Sequence, residues 1–286
     1  MDVFIVNPIA NNGDSLRFLN IMQRIYESYN RKYVIVFTEK GKTTEITSFY
    51  AHNDSINNIV SIGGDGTLNE VLNGMIDSKK GLIVVPAGCG NDFYRAIENM
   101  DDDFLSDVGK VNDDYFFGIL SLGIDAKVAM HANEFKENGF KKLAYPLGIV
   151  KAFFNFDNLK VIGVFDEVTI NDRVTMLSLC NGMYYGRGIR LDDKASIDDG
   201  LFNVFSVSCS KGEVPKLFLK LLNNKHKDDD KITYFKSKEA HIILDEPTLY
   251  SFDGEMRYSD ELNVSMCPQK VLIKKDFRDN INKIKR

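Results

Sequence analysis

The sequence predicts an N-terminal α/β domain built on a parallel sheet, followed by an antiparallel, β-rich half. Two observations lead to this fold class. Up to about Asp101, short apolar runs alternate with segments whose apolar residues recur at helical spacing, and that rhythm is typical of βαβ units. Beyond Asp101, apolar and polar residues alternate over short segments separated by Asn, Asp and Gly, which is typical of antiparallel strands and their turns.

The first half is predicted to contain four strands, each followed by a helix. The strands cover residues 3–7, 33–38, 58–62 and 82–86. Helical periodicity follows over residues 16–29, 43–51 and 68–76, and a fourth helix is expected to begin near Asn91 and Asp92. Because ligands of parallel sheets bind at the carboxyl ends of the strands, the segments NPIANNG, GGDGT and PAGCGND are predicted to share one edge.

The second half is predicted to consist mainly of strands, with one helix. The strand segments are YFFGILSLG, LKVIGVF, VTMLSLCNG, GLFNVFSVS and AHIIL, and the helix covers residues 214–222 and stops near Asn223 and Asn224. The acidic residues 101–103 fit either a linker or a solvated loop. We expect domains over residues 1–103 and 104–273 and a basic tail over 274–286, with a last strand near 270–273 that could complete either domain.

Composition excludes several classes of function. The formal net charge of −5 and the pI near 5.5 give no long-range attraction to nucleic acid, so no nucleic-acid partner is expected. The four cysteines form neither a CxxC pair nor a cluster with histidine, which favours reduced thiols in the cytosol. The sequence shows no basic leader and no stretch of about 18 apolar residues, so we expect a cytoplasmic protein without a transmembrane segment.

The stretch SIGGDGTLNEVLNG carries the clearest chemistry. Gly63, Gly64 and Gly66 let main-chain N–H groups approach a ligand closely, and the following helix offers its positive end, so phosphate is the expected ligand. The loop matches neither GxxxxGK[ST] nor GxGxxG and is therefore a different phosphate loop. Thr67 and Glu70 have the spacing of a capping box, which we favour over direct ligand contact.

An aspartate in such a loop needs an explanation. A carboxylate about 4 Å from a phosphate charge costs on the order of 4 kcal/mol at an effective dielectric of about 20, so a cation or an attacking hydroxyl is expected between them. Asp65 would then help magnesium to neutralise the phosphates or accept the proton of a substrate hydroxyl during phosphoryl transfer. The alternative is an Asx turn at the entrance of the helix.

Three further turns each allow a functional and a structural interpretation. Asp92 in PAGCGND either joins the phosphate chemistry or caps its helix. Asp199 in ASIDDGLFNV, together with neighbouring carbonyls, could hold a hard cation, although DDG alone is more often a turn. Glu255 in SFDGEMR would, by itself, be a solvated residue beside a hairpin turn.

Taken in order, the segments VNP, GGDGTLNEVLNG, PAGCGNDFYRA, SDVGKVN, SLGIDAKV, DDGLFNV and DGE resemble the catalytic domain of the diacylglycerol kinase and sphingosine kinase family of lipid kinases. The resemblance runs from Asn7 to about Glu255. The spacing of the motifs is also similar to that in the compact bacterial members of the family. The resemblance implies an α/β domain and a β-sandwich around a cleft, with ATP and Mg²⁺ as cofactors. The implied substrate is a lipid at the inner membrane face, diacylglycerol or a related glycerolipid. The sequence leaves the oligomeric state open, and a homodimer is compatible with it.

The resemblance also implies roles for individual residues. Asp65, Asp92 and Asp107 would form a water-mediated network around catalytic magnesium. Either Glu255 or Asp65 would accept the proton, and Asp125 would meet the substrate head group. A structural-metal turn would use the main-chain carbonyls of Ser196 and Leu201 and the carboxylate of Asp199. The implied nucleotide contacts are Asn7, Thr38, Gly63, Gly64, Gly66, Thr67, Leu68, Asn69, Glu70, Gly88, Cys89, Gly90 and Asn91.

The sequence departs from the family pattern where nucleotide and substrate would bind. Cys89 stands where a threonine is usual, and Gly186, Arg187, Gly188 and Asp192 replace a segment richer in glycine and proline. Two other functions stay open: an NAD kinase-like soluble phosphotransferase, which would also use a GGDG loop, and a nucleotide-binding regulator without turnover. Residues 270–286 carry seven Lys or Arg and two Asp, so this end either attracts anionic lipid or is simply solvated.

Overall fold

The structure is a computed structural model that describes residues 1–140, 143–186, 188–192, 195–223, 225–227 and 229–285. Residues 283–285 are described through their backbone alone. The chain divides into two compact units: unit 1 is Met1–Val108 with Cys267–Arg286, and unit 2 is Gly109–Met266. Arg187 and Asn224, on which two of the sequence predictions depend, lie outside the described residues. Among the residues described, no helix is both long and apolar enough to cross a membrane.

Unit 1 is an α/β fold in which strands and helices alternate. Strands β2, β1, β3 and β4 lie side by side in that order and run parallel to one another. Strands β1, β3 and β4 are buried along their whole length, as expected of a parallel sheet covered on both faces, so the predicted α/β domain is confirmed. The elements are β1 (Asp2–Val6), α1 (Asp14–Ser28), β2 (Tyr33–Phe37), α2 (Thr43–Ala51), β3 (Asn58–Gly63), α3 (Asp65–Met75), β4 (Gly81–Pro86), α4 (Asp92–Ile97) and β5 (Phe104–Val111), the last of which continues into unit 2.

Unit 2 is antiparallel and β-rich, as predicted. Strands β14, β13, β10, β7, β15 and β16 are neighbours in that order, and β8 and β9 are added beside the first half of β15. A register shift between Ile243 and Thr248 lets one end of β15 pair with β8 and the other with β7. The elements are β6 (Asp114–Phe116), β7 (Ile119–Gly123), α5 (Ile124–Glu137), α6 (Ala144–Asn155), β8 (Leu159–Phe165), β9 (Thr169–Val174), β10 (Met176–Cys180), β11 (Tyr184–Tyr185), β12 (Ile189–Arg190), β13 (Phe202–Val207), α7 (Val214–Leu222), β14 (Ile232–Ser237), β15 (Glu239–Phe252) and β16 (Glu255–Ile273).

The expectation of a single helix in the second half is wrong. Helix α7 ends one residue before Asn223, close to the predicted stop, but α5 and α6 precede it. The buried residues of α6 are Ala144, Gly148 and Ala152, which are too small to mark a core-facing stripe in the sequence. The aromatic residues around them are more typical of strands than of helices.

The C-terminal residues complete unit 1. Ile273, at the end of β16, pairs in parallel with Leu82 of β4, and α8 (Arg278–Lys285) follows. Arg278 is buried, and its guanidinium donates to the Met100 carbonyl at 2.7 Å. Lys274 forms an ion pair with Asp103. The segment predicted as a basic tail is therefore a docked helix, and two of its cations are engaged within unit 1.

Candidate functional site

The loop between β3 and α3 lies at the carboxyl edge of the parallel sheet. Gly64 is the N-cap of α3 with an extended backbone (φ −99°, ψ −171°), and no side chain caps the helix. Thr67 is buried inside the first turn, where its hydroxyl accepts a hydrogen bond from Asn7 Nδ2 at 3.0 Å. The capping-box prediction for Thr67 and Glu70 is wrong, because the N-cap is Gly64, three residues before the Thr67 position that the motif requires.

Asp65 joins this loop to the next one. Its Oδ2 accepts the backbone N–H of Asn91 at 2.7 Å, and its Oδ1 accepts that of Asp92 at 2.8 Å. These N–H groups belong to the open first turn of α4, where a negative charge is also favoured by the helix dipole. The carboxylate thus fixes the start of α4 against the start of α3. Unlike the contacts of the Asx turn considered from sequence, these two hydrogen bonds reach residues that lie 26 and 27 positions away.

The two glycine loops touch through their backbones. A Cβ added at Gly88 would lie 2.3 Å from the Cα of Gly64, a separation that real Cβ atoms do not reach. Asn91 holds the second loop: its Oδ1 accepts the Gly88 N–H at 3.0 Å, and its Nδ2 donates to the Gly88 carbonyl at 2.8 Å. Asn91 has a left-handed backbone (φ 57°), which asparagine tolerates better than most residues. The two loops are therefore in direct backbone contact.

Replacement of Gly88 by Ala is expected to separate the two loops. We expect a loss of about 1–3 kcal/mol in the free energy of unfolding, typical of overpacking, together with at least about tenfold weaker ATP binding by isothermal titration calorimetry. Gly212→Ala is the matched control, since a Cβ there meets nothing within 4 Å. Unchanged ATP affinity in Gly88→Ala would show that the loop contact is dispensable.

The other predicted nucleotide residues differ in how accessible they are. Thr38, Gly66, Glu70 and Gly90 retain partial exposure at the edge, whereas Gly63, Leu68 and Asn69 are buried. Cys89 is exposed, and its thiol donates to Asn11 Oδ1 at 3.0 Å. Leu68 and Asn69 thus support the loop from within the fold rather than offering a surface to a ligand.

The other predicted catalytic carboxylates of unit 1 are Asp92 and Asp107. Asp92 is the first residue of α4 after the Asn91 N-cap, so it is not the helix cap that the sequence also allowed. Asp107 is buried in β5, where its Oδ1 accepts the Gln269 N–H at 2.7 Å. In the described part of the chain, no three Asp, Glu, His or Cys side chains come close enough together to hold a metal directly.

In unit 2, Glu255 directly follows a two-residue hairpin turn. Phe252 pairs with Glu255 across β15 and β16, and the intervening Asp253 and Gly254 both have positive φ (47° and 90°), which is a type I′ turn. Arg257 Nη1 lies 3.7 Å from Glu255 Oε2. The sequence predicted this hairpin as the structural alternative, and here the turn and the functional candidate occur together.

Asp253 anchors that hairpin. Its carboxylate accepts three backbone N–H groups, from Phe117 at 2.7 Å, Gly118 at 2.9 Å and Ile119 at 3.2 Å. Sequence reasoning missed this residue because its partners lie more than 130 residues earlier in the chain. The sequence signal that could have found it is an aspartate directly before a glycine, because Asp tolerates the left-handed backbone that such a turn requires.

Asp125 lies in the first turn of α5, and the N-cap of that helix is Gly123, which has a positive φ of 84°. Burial raises the pKa of Asp125 to about 6, while a hydrogen bond from Ser121 acts in the opposite direction. Asp192, one of the departures noted above, is buried and paired with Lys227.

Two domain models match this chain. The diacylglycerol kinase catalytic domain matches residues 2–115, and the YegS C-terminal NAD kinase beta sandwich-like domain matches residues 118–274. The chain belongs to the diacylglycerol kinase family of lipid kinases. The resemblance inferred from the seven motifs is thereby confirmed, and membership implies ATP as the co-substrate.

Relatives in this lipid kinase family align with most of the chain, and a solved structure shares its fold. Diacylglycerol kinases of Bacillus subtilis and Staphylococcus carnosus are 25% and 26% identical, over 69% and 76% of this chain and 70% and 76% of their own lengths. A crystal structure of a diacylglycerol kinase from Bacillus anthracis superposes with a TM-score of 0.72 at 21% identity and covers 95% of each chain, which shows a common fold.

The turn that the lipid-kinase resemblance implies as a metal site is already neutralised in this chain. Asp199 Oδ1 accepts the Leu201 N–H at 3.1 Å, and Asp199 Oδ2 lies 2.7 Å from Lys236 Nζ. The Ser196 hydroxyl donates to Asp198. A divalent cation would have to displace the ammonium, so the donor set does not fit a structural metal, and we derive no role for one.

Lys236→Met is expected to destabilise this turn of the kinase. The ion pair is partly exposed, so we expect a loss of up to about 1 kcal/mol and a fall in Tm of a few degrees. Without nucleotide, millimolar MgCl₂ should leave the wild-type Tm unchanged, because a cation bound only to the folded state would raise it. Lys238→Met is the control. A magnesium-dependent rise in the wild-type Tm would restore the metal prediction.

Proposed function

We propose that this kinase transfers the γ-phosphate of ATP to the hydroxyl of a membrane glycerolipid, diacylglycerol or a close relative. The observation that carries the proposal is the Asp65 carboxylate, which ties two glycine loops together at the carboxyl edge of a parallel sheet. Relatives named diacylglycerol kinases span most of the chain and support the choice of substrate class. Within this proposal, the exposed positions of the loops bind the nucleotide phosphates through backbone N–H groups.

Magnesium fits the donors that unit 1 offers. The Asp65 carboxylate accepts the backbone N–H of Asp92, so these two residues are neighbours, and each carries hard oxygen donors. With Asp107 they would hold the ion through water. Magnesium bound there would neutralise charge on the transferring phosphate.

We infer that Glu255 accepts the proton of the lipid hydroxyl. Both oxygens of Asp65 already accept backbone N–H groups, so that carboxylate is engaged in holding the start of α4. Glu255 is partly exposed at the end of the hairpin turn, and its Oε2 lies 3.7 Å from Arg257 Nη1. Asp125 would bind the head group of the lipid by accepting a hydrogen bond.

The test offers labelled ATP and magnesium with three separate acceptors: diacylglycerol in mixed micelles, sphingosine in mixed micelles, and NAD. We expect labelled phosphate in the diacylglycerol fraction. Label in NAD alone would favour the soluble phosphotransferase alternative. ATP binding without any labelled product, including from a total lipid extract, would favour the regulator.

We further propose that the enzyme acts from the cytoplasm and meets its substrate by peripheral association with the inner membrane face. No described helix could cross a bilayer, and a diacylglycerol stays in the membrane, so the protein has to approach the lipid surface. A homodimer stays a prediction, to be checked by analytical ultracentrifugation.

A further inference from the structure

Helix α6 is built with its small residues inward and its large apolar residues outward. Ala144, Gly148 and Ala152 are buried, and a Cβ on Gly148 would lie 2.9 Å from the Val128 carbonyl oxygen and from the Ala132 nitrogen of α5. The side of α6 that packs on the fold is therefore a close backbone contact. A helix of a soluble core normally shows the reverse arrangement.

The outward side of α6 and its N-cap forms an exposed apolar stripe. Leu143 is 58% exposed, Val150 56% and Phe154 71%. Their spacing of seven and four residues places them on one face of a helix. Exposing such side chains to water is unfavourable, and a contiguous row of them marks an interaction surface.

Helix α7 presents a second apolar stripe. Leu217 is buried, whereas Leu219 and Leu222 are 60% and 52% exposed and lie three residues apart. The segment before α7 contacts the segment after α6: Lys211 Nζ lies 5.2 Å from the centre of the Phe156 ring, and Asn158 Nδ2 donates to the Cys209 carbonyl at 3.1 Å. The two stripes are therefore carried by neighbouring parts of unit 2.

The charge of these helices distinguishes a lipid surface from other occupants. Together α6 and α7 contain three lysines, Lys151, Lys216 and Lys220, and no aspartate or glutamate. The whole chain has 41 acidic and 36 basic residues, whereas these two helices carry only basic side chains, of which Lys151 is paired with Glu134 and Lys220 with Asp229. Apolar side chains combined with lysine on a short helix are typical of binding to anionic membranes.

We propose that the outward faces of α6 and α7 dock the protein on an anionic lipid surface. At about 1.5 Å per residue, the 12 residues of α6 cannot cross a hydrocarbon core of about 30 Å, so the helix lies in the interface. The proposal rests on the proposed function only in that the substrate is carried by a membrane. Binding to lipid is separate from phosphoryl transfer.

The test is co-sedimentation, without ATP, with vesicles of phosphatidylcholine alone or with one third phosphatidylglycerol. We expect the wild type to bind the anionic vesicles, and V150S/F154S to bind at least about tenfold more weakly, since two apolar side chains that would insert into the lipid are lost. Both positions are exposed, so the Tm should not change. Phe49→Ser, at an exposed aromatic residue of unit 1, is the matched control and should bind like the wild type.

Turnover on a dispersed short-chain diacylglycerol separates this proposal from the proposed function. If V150S/F154S keeps this turnover and loses vesicle binding, the docking proposal is supported. A wild type that binds vesicles but phosphorylates no lipid would overturn the proposed function and leave the docking surface in place. Docking by these helices would be overturned if V150S/F154S bound vesicles as well as the wild type does, or if the wild type did not bind them. It would also be overturned if the wild type were a dimer that the two serines convert to monomer without loss of lipid binding.

Discussion

Replacing Asp65 by Asn is expected to lower kcat by about 10²–10³-fold, the range found when one electrostatic contact of a transition state is removed. The same change should lower the free energy of unfolding by about 1–3 kcal/mol, because an amide cannot accept both N–H groups of α4. Here those groups are the backbone N–H of Asn91 and Asp92, at 2.7 and 2.8 Å. Steady-state kinetics and thermal unfolding measure the two effects.

Tyr26→Phe is the matched control for stability. The Tyr26 hydroxyl donates to Asp2 at 2.8 Å inside unit 1, so its loss should cost about 1 kcal/mol without touching the glycine loops. If Asp65→Asn loses activity only in proportion to Tyr26→Phe, the role of Asp65 is structural. If it keeps wild-type kcat, the mechanism proposed for this loop is wrong.

Asp253→Ala is expected to destabilise unit 2 by about 3–5 kcal/mol, since three N–H groups lose a charged acceptor and alanine tolerates positive φ poorly. The three bonds of the Asp253 carboxylate are 2.7–3.2 Å long, and its φ is 47°. We also expect kcat to fall, because the turn positions Glu255. Asp253→Asn should recover part of both losses, as it retains one acceptor and the left-handed preference.

Glu255→Gln separates chemistry from positioning. We expect kcat to fall by about 10²–10⁴-fold, as for loss of a general base, with an unchanged Tm. The side chain is partly exposed, and its ion pair with Arg257 is long at 3.7 Å, so we expect this pair to contribute little to stability. Wild-type kcat in Glu255→Gln, or full activity and stability in Asp253→Ala, would contradict the roles of this hairpin.

Much of unit 1 could be predicted from sequence because its signals are local. Strands such as β4 are continuous apolar runs, and α3 shows apolar residues at helical spacing. The antiparallel character of unit 2 also followed from two-residue alternation, as in β8. Helix α6 was missed because its buried residues are Ala and Gly, so the usual link between large apolar residues and burial is inverted.

The site could be predicted only in part, because several of its contacts join residues that are distant in the sequence. Glycine spacing pointed to Gly64 and Gly88, but the contact between them depends on the parallel register of β3 and β4, in which Gly63 lies beside Pro86. The partners of Asp253 and the ion pair of Asp199 with Lys236 join distant parts of the chain. No local pattern encodes such contacts.

The most direct test of the central claim is mass spectrometry of the products formed from ATP, magnesium and a mixed lipid extract, with wild type and Asp65→Asn compared side by side. We predict a phosphorylated glycerolipid from the wild type and about 10²–10³-fold less from the variant. Equal product from both proteins, or ATP consumption by the wild type without any phosphorylated lipid, would contradict the account.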